Sequence, residues 1–379
     1  MKKLIPFLSL ILLASCGEKG SSENATSENI LENLTYSVDT VVVDSGEDFI
    51  NLKFGALFSF LNPDHKHFYK YDVSSMQLKE VDLDKLALTN SYSFEREGPN
   101  GVEVFGRTIA SLSNGNFIFS GSKKIGAFSK SGELLPSFEY ELNDLIDQSQ
   151  SQGDNYSQFT YSEESEMGFF LETHYSDPVF NLISINFQKE SSKVIDLPEM
   201  DRTNDFRVVS KEPGFTLNWA QVLTLQALAS KIYITTPVHN GIYRYNPVTD
   251  SLDYITFPLT LTPTEKKKEI KNEVSSEGAR NEQIDIINSE IRFYELLWDK
   301  QSNRFYRFSS ILIPSNSSEP SKKSKIFLSA FDSDLNLIGE KHLEELTTIP
   351  ISPFFKDGKL WSYVNVEDEL GFAVFTFDF

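Results

Sequence analysis

The chain has 379 residues and a formal net charge of −20, with 31 Phe and a single Cys. That length can bury a sizeable core, and a hydrophobic fraction of 40% excludes a chain that is disordered throughout. The acidic charge argues against nucleic acid as a partner, because binding a polyanion requires a basic surface. One Cys excludes an internal disulfide and a zinc site built from cysteines.

The first 16 residues predict export and lipidation. A basic start, Met1-Lys2-Lys3, precedes an apolar run from Leu4 to Leu13 that is too short to span a bilayer. The run ends in Leu13-Ala14-Ser15-Cys16, which resembles the lipobox of bacterial lipoproteins. This resemblance implies a signal peptide over residues 1–15, cleavage before Cys16 and acylation of that Cys. A lipid anchor would then hold the protein at a membrane without a transmembrane helix.

A short polar segment follows the predicted cleavage point. Residues 17–33 are rich in Ser, Glu, Asn and Gly, and this composition predicts a flexible tether over residues 16–35. Gly17 takes the place of an Asp after the Cys, and by resemblance this implies the outer membrane rather than the inner membrane. The protein would face either the periplasm or the cell surface.

From residue 36 onward the pattern predicts an all-β fold. Short stretches rich in Phe, Tyr, Ile, Leu and Val alternate with Asp, Asn, Ser and Gly, which is typical of strands joined by tight turns. One pattern recurs, namely a strand that ends in an aromatic residue and a polar residue before a turn. Its six occurrences are Tyr71-Asp72, Phe128-Ser129, Phe187-Gln188, Tyr245-Asn246, Phe331-Asp332 and Phe377-Asp378.

This repeat predicts a six-bladed β-propeller over residues 36–379, with about four strands in each blade. The chain stops at Phe379, where the fourth strand of the last blade would begin. The spare strand from Tyr36 to Val43 is therefore expected to close the ring. The charged stretch of about residues 262–287 predicts a partly helical insertion on a blade. Two β-sandwiches, or a propeller of seven or eight blades, are the alternatives.

These features together resemble a known family. The lipobox, the repeated strand ends and the turn Glu97-Gly98-Pro99-Asn100-Gly101 are similar to those of the uncharacterised six-bladed β-propeller lipoproteins of Bacteroidota-type bacteria, a domain-of-unknown-function family. The resemblance covers nearly the whole mature chain. Its motifs are structural, so it implies no catalytic residue.

The predicted blades place all five histidines toward one rim, where propellers usually hold ligands. Two of them are expected between the second and third strands of the first blade, two in the same connection of the third and fourth blades, and His342 at the end of the fifth. Arg side chains on this rim could hold a carboxylate, and Trp could pack on a sugar ring. The candidate ligand rim consists of His65, His67, His174, His239, Arg107, Arg207 and Trp219. Ordinary polar loops, and packing of Trp219 between blades, are the competing interpretations.

Two functions are compatible with this pattern. The first is a lipid-anchored binding module whose rim takes a peptide, a glycan or a partner protein of the envelope, and the absence of a catalytic motif favours it. The alternative is a metal-assisted envelope hydrolase or lyase with histidines at the propeller face. No cofactor is predicted, and fold alone cannot choose between the two.

Overall fold

A computed structural model of the protein describes residues 29–102, 108–121, 124–146, 155–173, 179–212, 214–314 and 323–379. Over these residues the chain is mostly β-strand, with few helices, and its strands form seven small sheets. The predicted all-β class is confirmed. The predicted signal peptide and Cys16 lie outside the described residues, as do residues 16–28 of the predicted tether.

Six of the sheets have four antiparallel strands each, and we number them I to VI along the chain. The first described strand, β1 (Thr35–Val42), belongs to the last of them. Sheet I contains β2 (Ser59–Leu61), β3 (His67–Asp72), β4 (Gln77–Asp82) and β5 (Ala87–Ser93). Sheet II contains β6 (Thr108–Ser111), β7 (Phe117–Ser120), β8 (Lys124–Phe128) and β9 (Leu134–Glu141), followed by α1 (Leu142–Leu145). Sheet III contains β10 (Asn155–Ser162), β11 (Met167–Thr173), β12 (Phe180–Asn186) and β13 (Ser191–Asp196).

The second half of the chain repeats this plan with two additions. A 3-10 helix (Pro198–Phe206), β14 (Val208–Glu212) and β15 (Phe215–Trp219) precede sheet IV. Sheet IV contains β16 (Thr224–Leu228), β17 (Lys231–Thr235), β18 (Ile242–Asn246) and β19 (Ser251–Ile255). Next come β20 (Glu273–Val274) and α2 (Glu277–Asn288). Sheet V contains β21 (Arg292–Asp299), β22 (Arg304–Leu312), β23 (Ser324–Phe331) and β24 (Leu337–His342). Sheet VI contains β25 (Ile351–Lys356), β26 (Lys359–Val366), β27 (Glu369–Asp378) and β1.

The core lies between neighbouring sheets. Separate apolar clusters join I to II, II to III, III to IV, IV to V and V to VI, and a further cluster joins VI to I. In that last cluster the rings of Phe68 (β3) and Phe372 (β27) meet edge to face, with centroids 5.2 Å apart. Middle strands such as β7 are buried along their whole length, since both faces are covered, whereas outer strands such as β19 are largely exposed.

Sheet VI combines the two ends of the described chain. The eight residues of β1 pair with β27, from Thr35 opposite Asp378 to Val42 opposite Gly371. The residues before β1 add to this contact, because Leu31 and Leu34 are buried among side chains of sheets V and VI. The spare strand expected from the sequence therefore completes the last sheet as its fourth strand.

The seventh sheet belongs to a second layer, which we call the insertion layer: the 3-10 helix, β14, β15, β20 and α2. Its sheet has the order β15-β14-β20 and packs on α2 through Val208 and Ile287. Lys266 is buried and its Nζ donates to the carbonyl of Ile287, 2.9 Å away. The sequence predicted an insertion only for about residues 262–287. The part formed by the 3-10 helix, β14 and β15 was missed, because its short strands resemble those of the repeat.

Candidate functional site

The first strands of sheets I to VI converge on one open cavity of about 1100 Å³, which we call the central cavity. Every one of these strands, β2, β6, β10, β16, β21 and β25, contributes residues to its wall. In five of the sheets the lining continues into the turn between the first and second strands. The cavity therefore opens at the end of the sheets where these turns lie.

Side-chain amides tie neighbouring first strands together along this wall. Gln158 of β10 accepts a hydrogen bond from the backbone N–H of Leu225, at 2.9 Å, and donates to the carbonyl of Leu223. Gln226 of β16 repeats the arrangement one sheet further on, where it accepts from the N–H of Leu296 at 3.1 Å and donates to its carbonyl at 3.0 Å. These bonds satisfy backbone groups that have no strand partner across the sheet boundary.

The lining of the central cavity is strongly charged and partly aromatic. Its carboxylates are Asp64, Asp84, Glu163, Glu164, Asp299 and Asp357. Its lysines are Lys66, Lys300 and Lys356. The aromatic rings in the wall are Phe60, Phe159, Tyr161, Trp298 and Phe355. Carboxylates thus outnumber ammonium groups, so the cavity favours neutral or cationic groups over anions.

Two contacts fix the wall where the last sheet meets the first. The Nζ of Lys356 forms ion pairs with Asp84 and Asp357, and this lysine is only 8% exposed. His65 donates from Nδ1 to the carbonyl of Phe355, 2.7 Å away. Of the predicted rim residues that the structure describes, His65 is the one that lines the central cavity, and part of its role is to join sheets VI and I.

His67 belongs to a polar network inside sheet I. Its Nδ1 lies 3.2 Å from the carboxylate of Glu80, which is 4% exposed. Glu80 also accepts hydrogen bonds from Tyr69 at 2.8 Å, Tyr92 at 2.5 Å and Asn90 at 2.7 Å. Burial raises the pKa of Glu80, but these hydrogen bonds outweigh it and hold the pKa below its usual value.

The expectation of a common histidine rim is wrong. His65 lies between the first and second strands of sheet I and His67 begins the second strand, one connection earlier than predicted. His239 lies between the second and third strands of sheet IV, as predicted. In an up-and-down sheet these two connections are at opposite ends, so His239 lies at the end opposite to the one that holds His65. His342 ends a fourth strand and shares the end of His239.

The other rim residues within the described ranges do not line the central cavity. Arg207 and Trp219 lie in the insertion layer, where Arg207 Nε donates to the side chain of Asn218 at 2.9 Å and Trp219 packs beside the buried Val208. The alternative that Trp219 is a packing residue fits this position. His174 and Arg107 lie outside the described residues.

His239 is buried as a neutral base. Its Nδ1 accepts the N–H of Gly241 at 3.1 Å, so the proton lies on Nε2, which donates to the carbonyl of Glu199 at 3.1 Å. Burial lowers the pKa of His239 to about 4. Protonation of Nδ1 would both charge a buried ring and remove the acceptor of Gly241.

We expect His239 to make the protein less stable in weak acid. Between pH 6.5 and 4, His239 binds a proton in the unfolded chain but not in the folded protein. The free energy of unfolding therefore decreases as the pH is lowered. From a folded pKa of about 4, the loss between pH 7 and pH 5 is about 2 kcal/mol. Urea unfolding at several pH values measures it. His239→Gln should remove most of this slope, while His342→Gln, a change to a ring stacked on Phe327, should keep it. Equal slopes in the two variants would contradict the assignment.

The residues that the sequence analysis missed come from distant parts of the chain. Asp84 and Lys356 are 272 positions apart and meet only because sheets VI and I are neighbours. The signal available was the tight turn Asp357-Gly358, which marks a strand end but not its position relative to other sheets.

Among the described residues, no group of three or more His, Cys, Asp or Glu side chains is arranged to hold a metal ion. No helix within the same ranges has both the length and the apolar character needed to cross a bilayer.

Comparison with known proteins identifies a family. A crystal structure of a DUF4221 member from Bacteroides vulgatus has a TM-score of 0.60 at 12% identity, covering 91% of this chain and 98% of its own. A candidate exported protein from Bacteroides fragilis has a TM-score of 0.50 at 10% identity, covering 93% and 98%. At these identities the likeness shows the fold alone. No match was found among curated proteins. The model of the domain of unknown function DUF4221 matches residues 27–342, so the chain belongs to that family, as the sequence motifs predicted.

Proposed function

We propose that this protein is a binding module of the bacterial cell envelope and that its ligand binds in the central cavity. Sheets I to VI would be the blades of a closed six-bladed β-propeller, with β1 closing the ring. The observation that carries the proposal is the convergence of all six first strands on one cavity of about 1100 Å³. Small-molecule sites typically occupy roughly 300–1,000 Å³, so this cavity could hold a ligand of several linked units.

The chemistry of the wall suggests the ligand class. Exposed carboxylates such as Asp64 and Glu164 can accept hydrogen bonds from hydroxyl or amine groups, and side chains such as Tyr161 and Trp298 offer apolar faces. Asp84 and Asp357 already neutralise Lys356. A glycan or peptide without acidic groups fits this balance better than an anionic ligand does.

The proposed location rests on the N-terminal sequence. Cleavage before Cys16 and acylation of its thiol would anchor the protein in the outer membrane. An exported protein is compatible with the description of the related Bacteroides fragilis structure as a candidate exported protein.

Lipidation can be tested with a labelled fatty acid. We expect the full-length protein to incorporate labelled palmitate in its native host and to sediment with the outer membrane. Cys16→Ser should lose the label and leave the membrane fraction, because the chain has no other Cys. Ser15→Ala, which keeps a small residue before the Cys, is the matched control and should behave as the natural protein. Label retained by Cys16→Ser would overturn the anchor.

Ligand binding can be tested by photo-cross-linking in living cells. A photoreactive amino acid at Gln301, an exposed residue of the cavity wall, should give a specific adduct. The control position is Ser75, an exposed residue between the second and third strands of sheet I, at the opposite end of the sheet. Adducts equal at both positions, or none from Gln301, would count against the central cavity as the site.

A further inference from the structure

Strand β15 is an exposed sheet edge in the insertion layer. Over the described ranges its one strand partner is β14, with Val208 opposite Trp219 and Glu212 opposite Phe215. The pairing has no bulge, and residues 215–219 contain neither a charged residue nor Pro. Natural edge strands usually carry such features to prevent pairing with other chains. Outer strands elsewhere in the protein carry a charged residue, such as Lys193 in β13 and Asp253 in β19.

The ladder fixes which backbone groups of β15 point outward. Val209 N–H donates to the carbonyl of Asn272, at 2.7 Å, on the side of β14 away from β15. Asn218 lies opposite Val209. In an antiparallel pair, when the backbone N–H and C=O of one residue point away from the neighbouring strand, those of the residue opposite it point away as well. The same alternation applies to Thr216. The free edge thus presents the N–H and C=O of Thr216 and Asn218.

The side chains of β15 give this edge an apolar face. Phe215, Leu217 and Trp219 alternate with polar residues and therefore lie on one side of the strand. Phe215 is 52% exposed and Leu217 is 42% exposed. An apolar face beside an open hydrogen-bonding edge is the combination that β-strand addition uses.

We propose that β15 pairs with β15 of a second copy of this chain, antiparallel and centred on Leu217. In this register Thr216 of each copy faces Asn218 of the other, so their outward N–H and C=O groups form four hydrogen bonds. Leu217 faces Leu217, and Phe215 faces Trp219, all on one side of a continuous six-stranded sheet. The contact is the same from both sides, as a two-fold axis requires.

The strand's own sequence favours a second copy over an unrelated peptide. Any extended chain could satisfy the backbone, but only a partner with apolar residues at alternate positions covers Phe215 and Leu217, and β15 itself has that pattern. Cross-strand aromatic pairs add to the stability of such a ladder. Charge near the edge is balanced, because Lys211 pairs with Glu273 at 2.8 Å. The net charge of −20 on each copy opposes association and should make it depend on salt.

A single engineered thiol tests the register. In the full chain with Cys16→Ser, Leu217→Cys leaves one thiol in each copy. Directly facing residues of a non-hydrogen-bonded antiparallel pair have Cα atoms about 4.5 Å apart, within the range of a disulfide. Phe215→Cys is the matched control, since its two copies would lie four residues out of register, about 13 Å apart. Mild oxidation should give about tenfold more covalent dimer from Leu217→Cys than from Phe215→Cys.

Sedimentation of the unmodified protein tests association independently of any variant. We expect a monomer–dimer equilibrium that shifts toward dimer as salt rises from roughly 0.02 to 0.5 M, since screening weakens the repulsion between the acidic copies. Thr216→Pro removes an outward N–H and should abolish the dimer while circular dichroism stays unchanged. A monomer at all salt concentrations, a dimer that Thr216→Pro leaves intact, or equal disulfide yields from the two thiol variants would overturn the proposal.

Discussion

Deletion of residues up to Val43 is expected to leave the protein unfolded or aggregated. The deletion removes β1, whose eight residues all pair with β27. It also removes Leu31, Leu34 and Val43, which are 0%, 4% and 2% exposed. Burial of three aliphatic side chains alone contributes about 5–9 kcal/mol, which is comparable with the whole stability of a typical domain, about 5–15 kcal/mol. The new edge of β27 would also be open to other chains.

The matched comparison is between a chain that starts at Asp44 and one that starts at Asn29, which keeps β1. Soluble yield and thermal melting by circular dichroism distinguish them. Leu31→Ala tests the same packing with a smaller change and should lower the free energy of unfolding by about 2–4 kcal/mol. Val38→Ala, at a position 46% exposed, should change the free energy of unfolding by no more than about 0.5 kcal/mol. A chain starting at Asp44 that melts cooperatively at the same temperature would contradict the role of β1.

Much of the strand plan could be predicted because every hairpin needs the same chemistry. An apolar residue must face the neighbouring sheet, and a turn-forming residue must follow it. Five of the six predicted strand ends, starting with Phe128-Ser129, do fall at the end of a third strand. The first one, Tyr71-Asp72, ends the second strand of sheet I. The turn after a second strand and the turn after a third strand both follow an aromatic or aliphatic residue. The pattern therefore cannot tell these two turns apart.

This shift by one strand explains the incorrect histidine rim. Moving sheet I by one connection transfers His65 and His67 to the opposite end of the sheet from their true position. The central cavity could not be predicted for a different reason. Its wall joins residues such as Asp84 and Lys356 that only the packing of sheet VI on sheet I brings together. Local periodicity determines which residues form strands but not which strand ends meet.

Replacement of Arg307 by Met is expected to destabilise the fold by about 3–5 kcal/mol, because a buried carbonyl left without a donor costs about 1–3 kcal/mol. Arg307 of β22 is 3% exposed and donates to three backbone carbonyls, those of Tyr294 at 2.6 Å, Asn240 at 2.7 Å and Thr236 at 3.0 Å. It thereby fastens sheet V to the connection between the second and third strands of sheet IV. Burial lowers its pKa to about 9, so the guanidinium is still charged at neutral pH. Met keeps the apolar stem but leaves all three carbonyls without a donor.

The comparison with two other variants separates hydrogen bonding from volume. Arg307→Lys keeps a charge, but one ammonium cannot match the planar geometry that reaches all three carbonyls, so much of the loss should remain. Arg292→Ala, at an exposed position on the neighbouring strand β21, should change stability by less than about 0.5 kcal/mol. Chemical unfolding of the three variants gives the free energies. If Arg307→Met were as stable as the natural protein, the three carbonyls would have to find other donors, and this arginine would not hold sheets IV and V together.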